Sequence, residues 1–181
     1  MVIASGYAGP RRSLTERAIA AARLDSGAFE EVEADSTATG QAALVVLASA
    51  IAQGVAAIHT GNFGIIGSIC GALVGWVIWS AVTYFIGTTL FKGTATIGEL
   101  LRTLGFAQAP GVLYVLRLVP VLGWLITPFI AIWILIAGII AIRQALDFST
   151  GKAIITALIG WLCLVIPMII FGGAFALAFG R

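Results

Sequence analysis

The sequence predicts an all-α fold, a polytopic transmembrane helical bundle of about five spans with short amphipathic cytoplasmic helices. Of the 181 residues, 60% are apolar and only 10% are charged, whereas a soluble domain carries about 25% charged residues. Charged residues are nearly absent from three long stretches, each able to supply one or two helices of about 20 residues. These stretches are apolar on every side, which is typical of helices surrounded by lipid.

The first stretch lies between Asp35 and Lys92 and is long enough for two spans. Its one polar, glycine-containing interruption is at residues 59–64, where we place the turn of a hairpin. Pro120 and Gly123 divide the second stretch, because proline lacks a helix donor and glycine favours a turn. The predicted spans are residues 41–58, 65–91, 106–119, 124–142 and 153–180, preceded by a cytoplasmic arm of residues 1–40.

The third predicted span is short. As an α-helix, residues 110–119 would cover about 15 Å, about half the apolar thickness of a bilayer. The span therefore includes residues 105–110 or fails to cross fully. A broken helix at this depth is either a packing bend, which we favour, or part of a transport site.

Lysine and arginine indicate the orientation, because they collect in cytoplasmic loops. With the N-terminus inside, only two of the ten, Arg117 and Arg181, lie outside. All eight acidic residues also lie inside. We therefore predict a cytoplasmic N-terminus, an extracytoplasmic C-terminus, and a function confined to the membrane or its cytoplasmic face.

The arm contains two helix-start signals. Ser13 and Glu16 have capping-box spacing, and a second short helix is expected after Asp25. Four acidic residues line one side of this second helix: Glu30, Glu31, Glu33 and Asp35. We interpret the arm as two amphipathic helices resting on the membrane surface, with the acidic side toward water or a protein partner. A dedicated partner-binding motif is the alternative that we rank second.

A further cytoplasmic helix is predicted between the second and third spans. Thr96 and Glu99 again have capping-box spacing. The apolar stripe that follows comprises Ile97, Leu100, Leu101 and Leu104. Arg102 is expected away from this stripe, and the helix is expected to end near Gly105. Pro110 fits the first position of the next helix, where its missing N–H costs nothing.

The third cytoplasmic element, residues 143–152, joins the last two spans. Arg143 and Asp147 stand at i and i+4 and can pair if the helix continues that far. Ser149 or Thr150 is expected to cap the fifth span.

Small residues recur at helical spacing inside the spans. Gly67, Gly71 and Gly75 form a doubled GxxxG ridge, which lets helix backbones approach closely. A ridge of alanines on the first span, at positions 48, 52 and 56, makes a matching surface. The ridge serves either a contact between the first two spans or homodimerisation. Arg117, the only charge within a predicted span, is expected to reach lipid phosphates, with anion binding as the alternative.

The sequence lacks the usual signs of catalysis and of ion coupling. No Asp or Glu lies within the spans, which argues against proton- or cation-coupled transport. The sequence contains no metal-ligand spacing, nucleophile motif or set of kinase motifs, so we predict a non-enzyme with no cofactor. A net charge of only +2 and the absence of a basic stripe argue against a nucleic-acid partner.

Three segments resemble the Yip1-domain family of small polytopic membrane proteins, in its bacterial branch. They are residues 98–110 (Gly-Glu-Leu-Leu-Arg-Thr-Leu-Gly-Phe-Ala-Gln-Ala-Pro), residues 143–153 (Arg-Gln-Ala-Leu-Asp-Phe-Ser-Thr-Gly-Lys-Ala) and residues 23–29 (Arg-Leu-Asp-Ser-Gly-Ala-Phe). The resemblance covers roughly Asp25 to the C-terminus. It implies five spans, a cytoplasmic N-terminus, no known catalysis and, for this branch, the bacterial inner membrane.

Eukaryotic members of that family bind small Rab-type GTPases. Their Gly-Tyr…Pro motif is similar to Gly105, Phe106 and Pro110 here, with phenylalanine in place of tyrosine. Their Asp-Leu-Tyr-Gly-Pro motif has no counterpart in the arm. The resemblance therefore argues against a Rab-type GTPase as the partner.

The sequence thus predicts a non-enzymatic membrane-organising protein or an accessory subunit of a larger membrane complex. The expected partners are the lipid bilayer and other membrane-protein subunits or a second copy. A small-solute or anion transporter or channel is the alternative, supported by the broken third span and the charge within it. The candidate interaction or lipid-contact residues are Glu99, Arg102, Gly105, Phe106, Pro110, Arg117, Arg143, Asp147 and Lys152.

Overall fold

A computed structural model describes residues 12–57, 64–119 and 121–179 of the chain, and all regular secondary structure in these ranges is helical. The elements are α1 (Leu14–Ala22), α2 (Ser26–Ala34), α3 (Ala38–Ala57), α4 (Gly64–Phe91), α5 (Ile97–Phe106), a 3₁₀ helix (Ala109–Leu118), α6 (Leu122–Ala145) and α7 (Thr150–Phe179). The all-α prediction is confirmed. Most of the predicted turn at residues 59–64, with Pro120 and Arg181, lies outside the described residues.

Three described helices are long and apolar enough to cross a membrane: Ala38–Ala56, Ile65–Phe91 and Leu122–Ala145. The described part of α7 adds a shorter apolar helix, Thr150–Ile166. We call the end of the bundle that holds α1, α2 and the start of α5 the arm end. The opposite end, where the 3₁₀ helix finishes at Leu118 and α6 begins at Leu122, is called the far end.

The third predicted span, residues 106–119, is not one α-helix. α5 ends at Phe106, and residues Ala109–Leu118 form a 3₁₀ helix with Pro110 in its first turn. Proline has no N–H to continue the α-helical hydrogen bonds of α5. Ten residues at the 3₁₀ rise cover about 20 Å, which is less than the apolar thickness of a bilayer.

Both predicted capping boxes are present. The Ser13 hydroxyl accepts from the N–H of Glu16, and the Glu16 carboxylate accepts from the N–H of Ser13 at 2.7 Å. Thr96 and Glu99 make the same reciprocal pair at the start of α5. The predicted second arm helix is also present, with the Asp25 carboxylate capping α2 through the N–H of Gly27.

The amphipathic pattern predicted that the arm helices rest on the membrane surface, outside the bundle. In the structure, α2 is instead part of the bundle. The apolar side of α2 is fully buried, with Phe29 and Val32 in the main core. This core also includes Leu100 and Leu104 of α5 and Ile142 of α6. The apolar side is therefore covered by protein and not by lipid, because α2 packs between α5 and α6.

The contact between α3 and α4 uses a glycine other than those predicted. A Cβ atom added at Gly54 would lie 2.8 Å from the Cα of Ile65, so the two backbones touch there. A Cβ added at Gly71 or Gly75 would meet no atom within 4 Å. The predicted hairpin contact through these two glycines is therefore wrong. Trp76, one residue beyond Gly75, lines a cavity that separates α4 from α3 at this level.

Candidate interaction site at the arm end

Arg17 lies at the centre of a buried ionic cluster at the arm end. Its side chain is only 2% exposed, and its Nε donates to the Oε1 of Glu31 at 3.0 Å. One terminal nitrogen donates to Asp35 at 2.8 Å and the other to the side-chain oxygen of Gln41 at 3.0 Å. The cluster therefore ties α1 to α2 and to the first turn of α3.

The acidic side of α2 was predicted to face water or a protein partner, but Glu31 is buried within the chain itself. Its side chain is 4% exposed, and its second oxygen lies 3.6 Å from the Nε of Arg12. Arg12 also contacts the Asp25 carboxylate at 3.1 Å. No local spacing in the sequence signals these pairs, because the partners come from different helices that only the turn at Leu24 brings together.

Hydrogen bonds favour the charged forms of two members of this cluster, Asp35 and Arg17. The Thr37 hydroxyl, which donates to Asp35 at 2.6 Å, and the Arg17 guanidinium hold the pKa of Asp35 at about 2. Burial on its own would lower the pKa of Arg17. The hydrogen bonds to Asp35 and Glu31 outweigh burial and raise the pKa of this guanidinium above its usual value.

Arg102 is the second buried arginine of the arm end. It was predicted to lie away from the apolar stripe of α5, but its side chain is only 7% exposed. Its Nε donates to the carbonyl oxygen of Val32 at 2.9 Å, and a terminal nitrogen donates to the carbonyl oxygen of Glu33. The last carbonyls of a helix have no partner within it and carry partial negative charge. Arg102 therefore caps the C-terminus of α2 and joins α2 to α5.

Glu33 lies among carboxylates from three elements. Burial, followed by the negative charges of Glu99, Asp147 and Glu30, raises its pKa to about 7 from an ordinary 4.5, and Arg102 opposes this rise. Two predicted interaction residues, Glu99 and Asp147, therefore lie close enough to influence one carboxyl group. Within the ranges that the structure describes, no group of three or more His, Cys, Asp or Glu could hold a metal ion.

We expect the stability of the protein to fall as the pH rises from about 4.5 to about 7. The folded chain retains the Glu33 proton in this range, whereas the unfolded chain has released it, so the contribution of Glu33 to stability is greatest below pH 4.5 and is lost as the pH rises to about 7. The loss is on the order of 1–2 kcal/mol, because partial exposure of the carboxyl weakens the effect. Thermal unfolding measured across this range in detergent checks it. Glu33→Gln should flatten the pH profile, and an equal slope in wild type and variant would contradict the assignment.

Arg143 and Asp147 do not pair. α6 ends at Ala145, and Asp147 has a left-handed backbone with φ of 52°, so the i,i+4 geometry is lost. Arg143 donates to the side-chain oxygen of Gln144 at 2.8 Å, and Asp147 accepts from the Thr94 hydroxyl at 3.2 Å. Lys152 is exposed, with its Nζ 5.5 Å from the centre of the Phe148 ring. The side chains of Asp147 and Lys152 are therefore both accessible to solvent or to a partner.

Gly105, Phe106 and Pro110 pack inside the chain. A Cβ added at Gly105 would lie 2.7 Å from the Cβ of Ala42 and 3.2 Å from its carbonyl oxygen, so α5 and α3 touch there. Phe106 and Pro110 are both fully buried. These three residues therefore shape the fold and offer no surface to a partner.

A polar cavity of about 220 Å³ lies between α3, α4 and the end of α5. It is lined by Val46, Ser49, Gln53, Ala72, Gly75, Trp76, Trp79, Leu104 and Gln108. The Gln53 amide donates to the Ser49 hydroxyl at 3.3 Å, and the Trp76 indole donates to the carbonyl oxygen of Leu101 at 3.0 Å. The lining carries no charged group, and the volume matches about seven water molecules. The cavity is therefore suited to hydrating the break between α5 and the 3₁₀ helix.

The structure thus divides the predicted residues into an arm-end surface, a packed interior and a far-end arginine, Arg117. The Yip1 domain model matches residues 25–177 of this helical membrane chain. The chain belongs to the Yip1 family. No curated protein and no solved structure matches it. The Yip1 family is a non-enzymatic family of membrane proteins, which agrees with the sequence expectation that this chain is an integral membrane protein.

The Yip1 match begins at Asp25, the residue that caps α2. α1 with its buried Arg17, and the half-buried Arg12 just before α1, therefore precede the matched region. In this Yip1-domain protein the preceding helix is joined to the domain by the ionic cluster of Arg17.

Proposed function

We propose that this Yip1-domain protein is a non-catalytic membrane-organising protein that acts as an accessory subunit of a larger assembly. We place it in a bacterial inner membrane, with the N-terminus in the cytoplasm, the C-terminus outside and five spans. The lipid bilayer and another membrane helix, from a second copy or a different subunit, are the partners. Catalysis has no part in this proposal.

The outward side of α4 carries the proposal. Within the most apolar stretch of α4, only 6% of the residues are buried inside the protein, whereas 44% are buried in the corresponding stretch of α3. Gly71 on this helix meets no atom within 4 Å, and Val74 and Ile78 on the same side are exposed. A small residue flanked by branched apolar ones lets a second helix approach closely, and such contacts drive association in lipid. Gly71 is therefore accessible to a helix from outside the chain, and the proposed contact is centred on this residue of the Gly67, Gly71 and Gly75 ridge.

We expect Gly71→Ile to separate this protein from its assembly without unfolding it. A branched side chain at the contact prevents close approach, and a tenfold loss of association corresponds to about 1.4 kcal/mol. The measurement is the mass of the complex after gentle extraction with a tag on the N-terminus, with mass spectrometry of what co-purifies. Gly138→Ile on α6 is the matched control, since a Cβ at Gly138 also meets no atom. Recovery of the wild type as a lone monomer would contradict the subunit role.

A further inference from the structure

A wide groove opens at the far end, between the 3₁₀ helix and the first turns of α6. Its volume is about 1010 Å³. The walls are mostly apolar and include Leu118, Leu125, Pro128 and Phe129, with Ala56 of α3 at one side. Among the described residues that line it, the one charged side chain is Arg117.

The positive charge of Arg117 is reinforced by the start of α6. A Cβ added at Gly123 would lie 2.7 Å from the Cα of Arg117 and 2.8 Å from its carbonyl oxygen. Only glycine therefore lets the first turn of α6 lie against the backbone of Arg117. The N–H of Gly123 donates to the carbonyl oxygen of Val119 at 3.0 Å, so it is not open to a ligand. The aligned peptide dipoles of α6 still place partial positive charge at this end of the helix. Arg117 and the N-terminus of this 24-residue helix thus favour an anion at the same place.

No carboxylate among the described residues forms an ion pair with Arg117. The chain between Arg102 and Arg143 contains no Asp or Glu. A neutralising group at the far end must therefore come from outside the described chain.

Trp124 indicates the depth of this positive site. It lies on the first turn of α6 and is 80% exposed, and exposed tryptophans in membrane proteins concentrate at the level of the lipid headgroups. Leu125, Pro128 and Phe129 follow along α6 in the direction of the bilayer centre. The groove therefore presents a cation at headgroup level and apolar walls at the depth of the acyl chains.

We propose that this groove binds one anionic membrane phospholipid. The phosphate lies at Arg117 and the N-terminus of α6, and one acyl chain lies along Pro128 and Phe129. A free anion would satisfy the charge and leave the apolar walls uncovered, whereas a neutral lipid would leave the arginine without a partner. A phospholipid with net negative charge matches both parts of the groove. This inference is independent of the assembly proposed for α4.

The test is native mass spectrometry of the full chain after exchange into micelles containing equal amounts of phosphatidylglycerol and phosphatidylcholine. We expect the wild type to retain one phosphatidylglycerol per chain. Arg117→Gln should lower its occupancy about tenfold, and Arg117→Lys should keep most of it. Arg23→Gln, which removes an exposed cation at the arm end, is the matched control and should leave the occupancy unchanged.

A second variant keeps the test valid if Arg117→Gln does not fold. Phe129→Ala shortens the apolar wall, leaves the charge intact and is expected to lower phosphatidylglycerol retention several-fold. Equal retention by wild type, Arg117→Gln and Phe129→Ala would overturn the proposal. Displacement of the lipid by millimolar inorganic phosphate would also overturn it, because the site would then recognise only the free anion.

Discussion

Replacing Arg17 with alanine is expected to lower the free energy of unfolding by about 3–5 kcal/mol, the cost of removing one partner from a buried ion pair. In the wild type, the Nε of Arg17 lies 3.0 Å from the carboxylate of Glu31, whose side chain is only 4% exposed. The change removes this closest cation and leaves the buried carboxylate. Asp35 and Gln41 lose a donor at the same time. Reversible unfolding in mixed detergent micelles, followed by the fluorescence of the five tryptophans, measures the effect.

Arg23→Ala is the matched control for Arg17, since Arg23 is exposed at the end of the same helix. We expect that variant to stay within about 0.5 kcal/mol of the wild type. The double variant Arg17→Met with Glu31→Leu should recover part of the loss, because apolar side chains of similar size fill the site without a buried charge. If Arg17→Ala and Arg23→Ala have equal effects, the ionic cluster does not hold the arm in the folded protein.

Replacing Gly105 with valine is expected to destabilise the protein by about 3 kcal/mol, at the upper end of the range for overpacking. The added Cβ would lie 2.7 Å from the Cβ of Ala42 and 3.2–3.3 Å from its backbone oxygen and carbon. Rotation of a side chain cannot relieve these contacts, so α5 and α3 must move apart. The same unfolding measurement in micelles reports the loss.

Two further variants separate overpacking at Gly105 from a general effect of losing glycine. Gly138→Ala meets no atom and should be neutral or stabilising by up to about 1 kcal/mol, because alanine favours the helix. Ala42→Gly removes the nearest contact and should reduce the cost of Gly105→Ala in a double-mutant cycle. Additive effects of Gly105→Ala and Ala42→Gly would show that the two residues are not in contact.

The sequence predicts those features of this fold that depend on neighbouring residues. A capping box needs only a hydroxyl and a carboxylate three residues apart. The two predicted capping boxes, at Ser13 and at Thr96, are both present. The break after α5 follows from Pro110, which cannot continue the helix. Its 3₁₀ geometry is not predictable, because apolar residues at helical spacing are compatible with either type of winding.

The roles of the two buried arginines depend on tertiary structure. Arg17 needs carboxylates from α2 and its flank, and Arg102 needs the free carbonyls at the end of α2. Arg102 was expected away from the apolar stripe because a charged residue beside such a stripe usually faces water, and no local pattern marks Arg17 as buried. In the same way, the GxxxG pattern shows that Gly71 permits a close contact but not with which helix. The chain uses Gly54 for its own hairpin instead.

The winding of residues Ala109–Leu118 also determines how far this segment extends. As an α-helix these ten residues would be about 15 Å long, and as a 3₁₀ helix they are about 20 Å long. The tighter coil therefore gains roughly one-third in height without an added residue. Three residues inserted after Leu113 would add about 5 Å to an α-helix. The segment would then reach the same length as an α-helix, and the residue now at Arg117 would stay at the same position along α6.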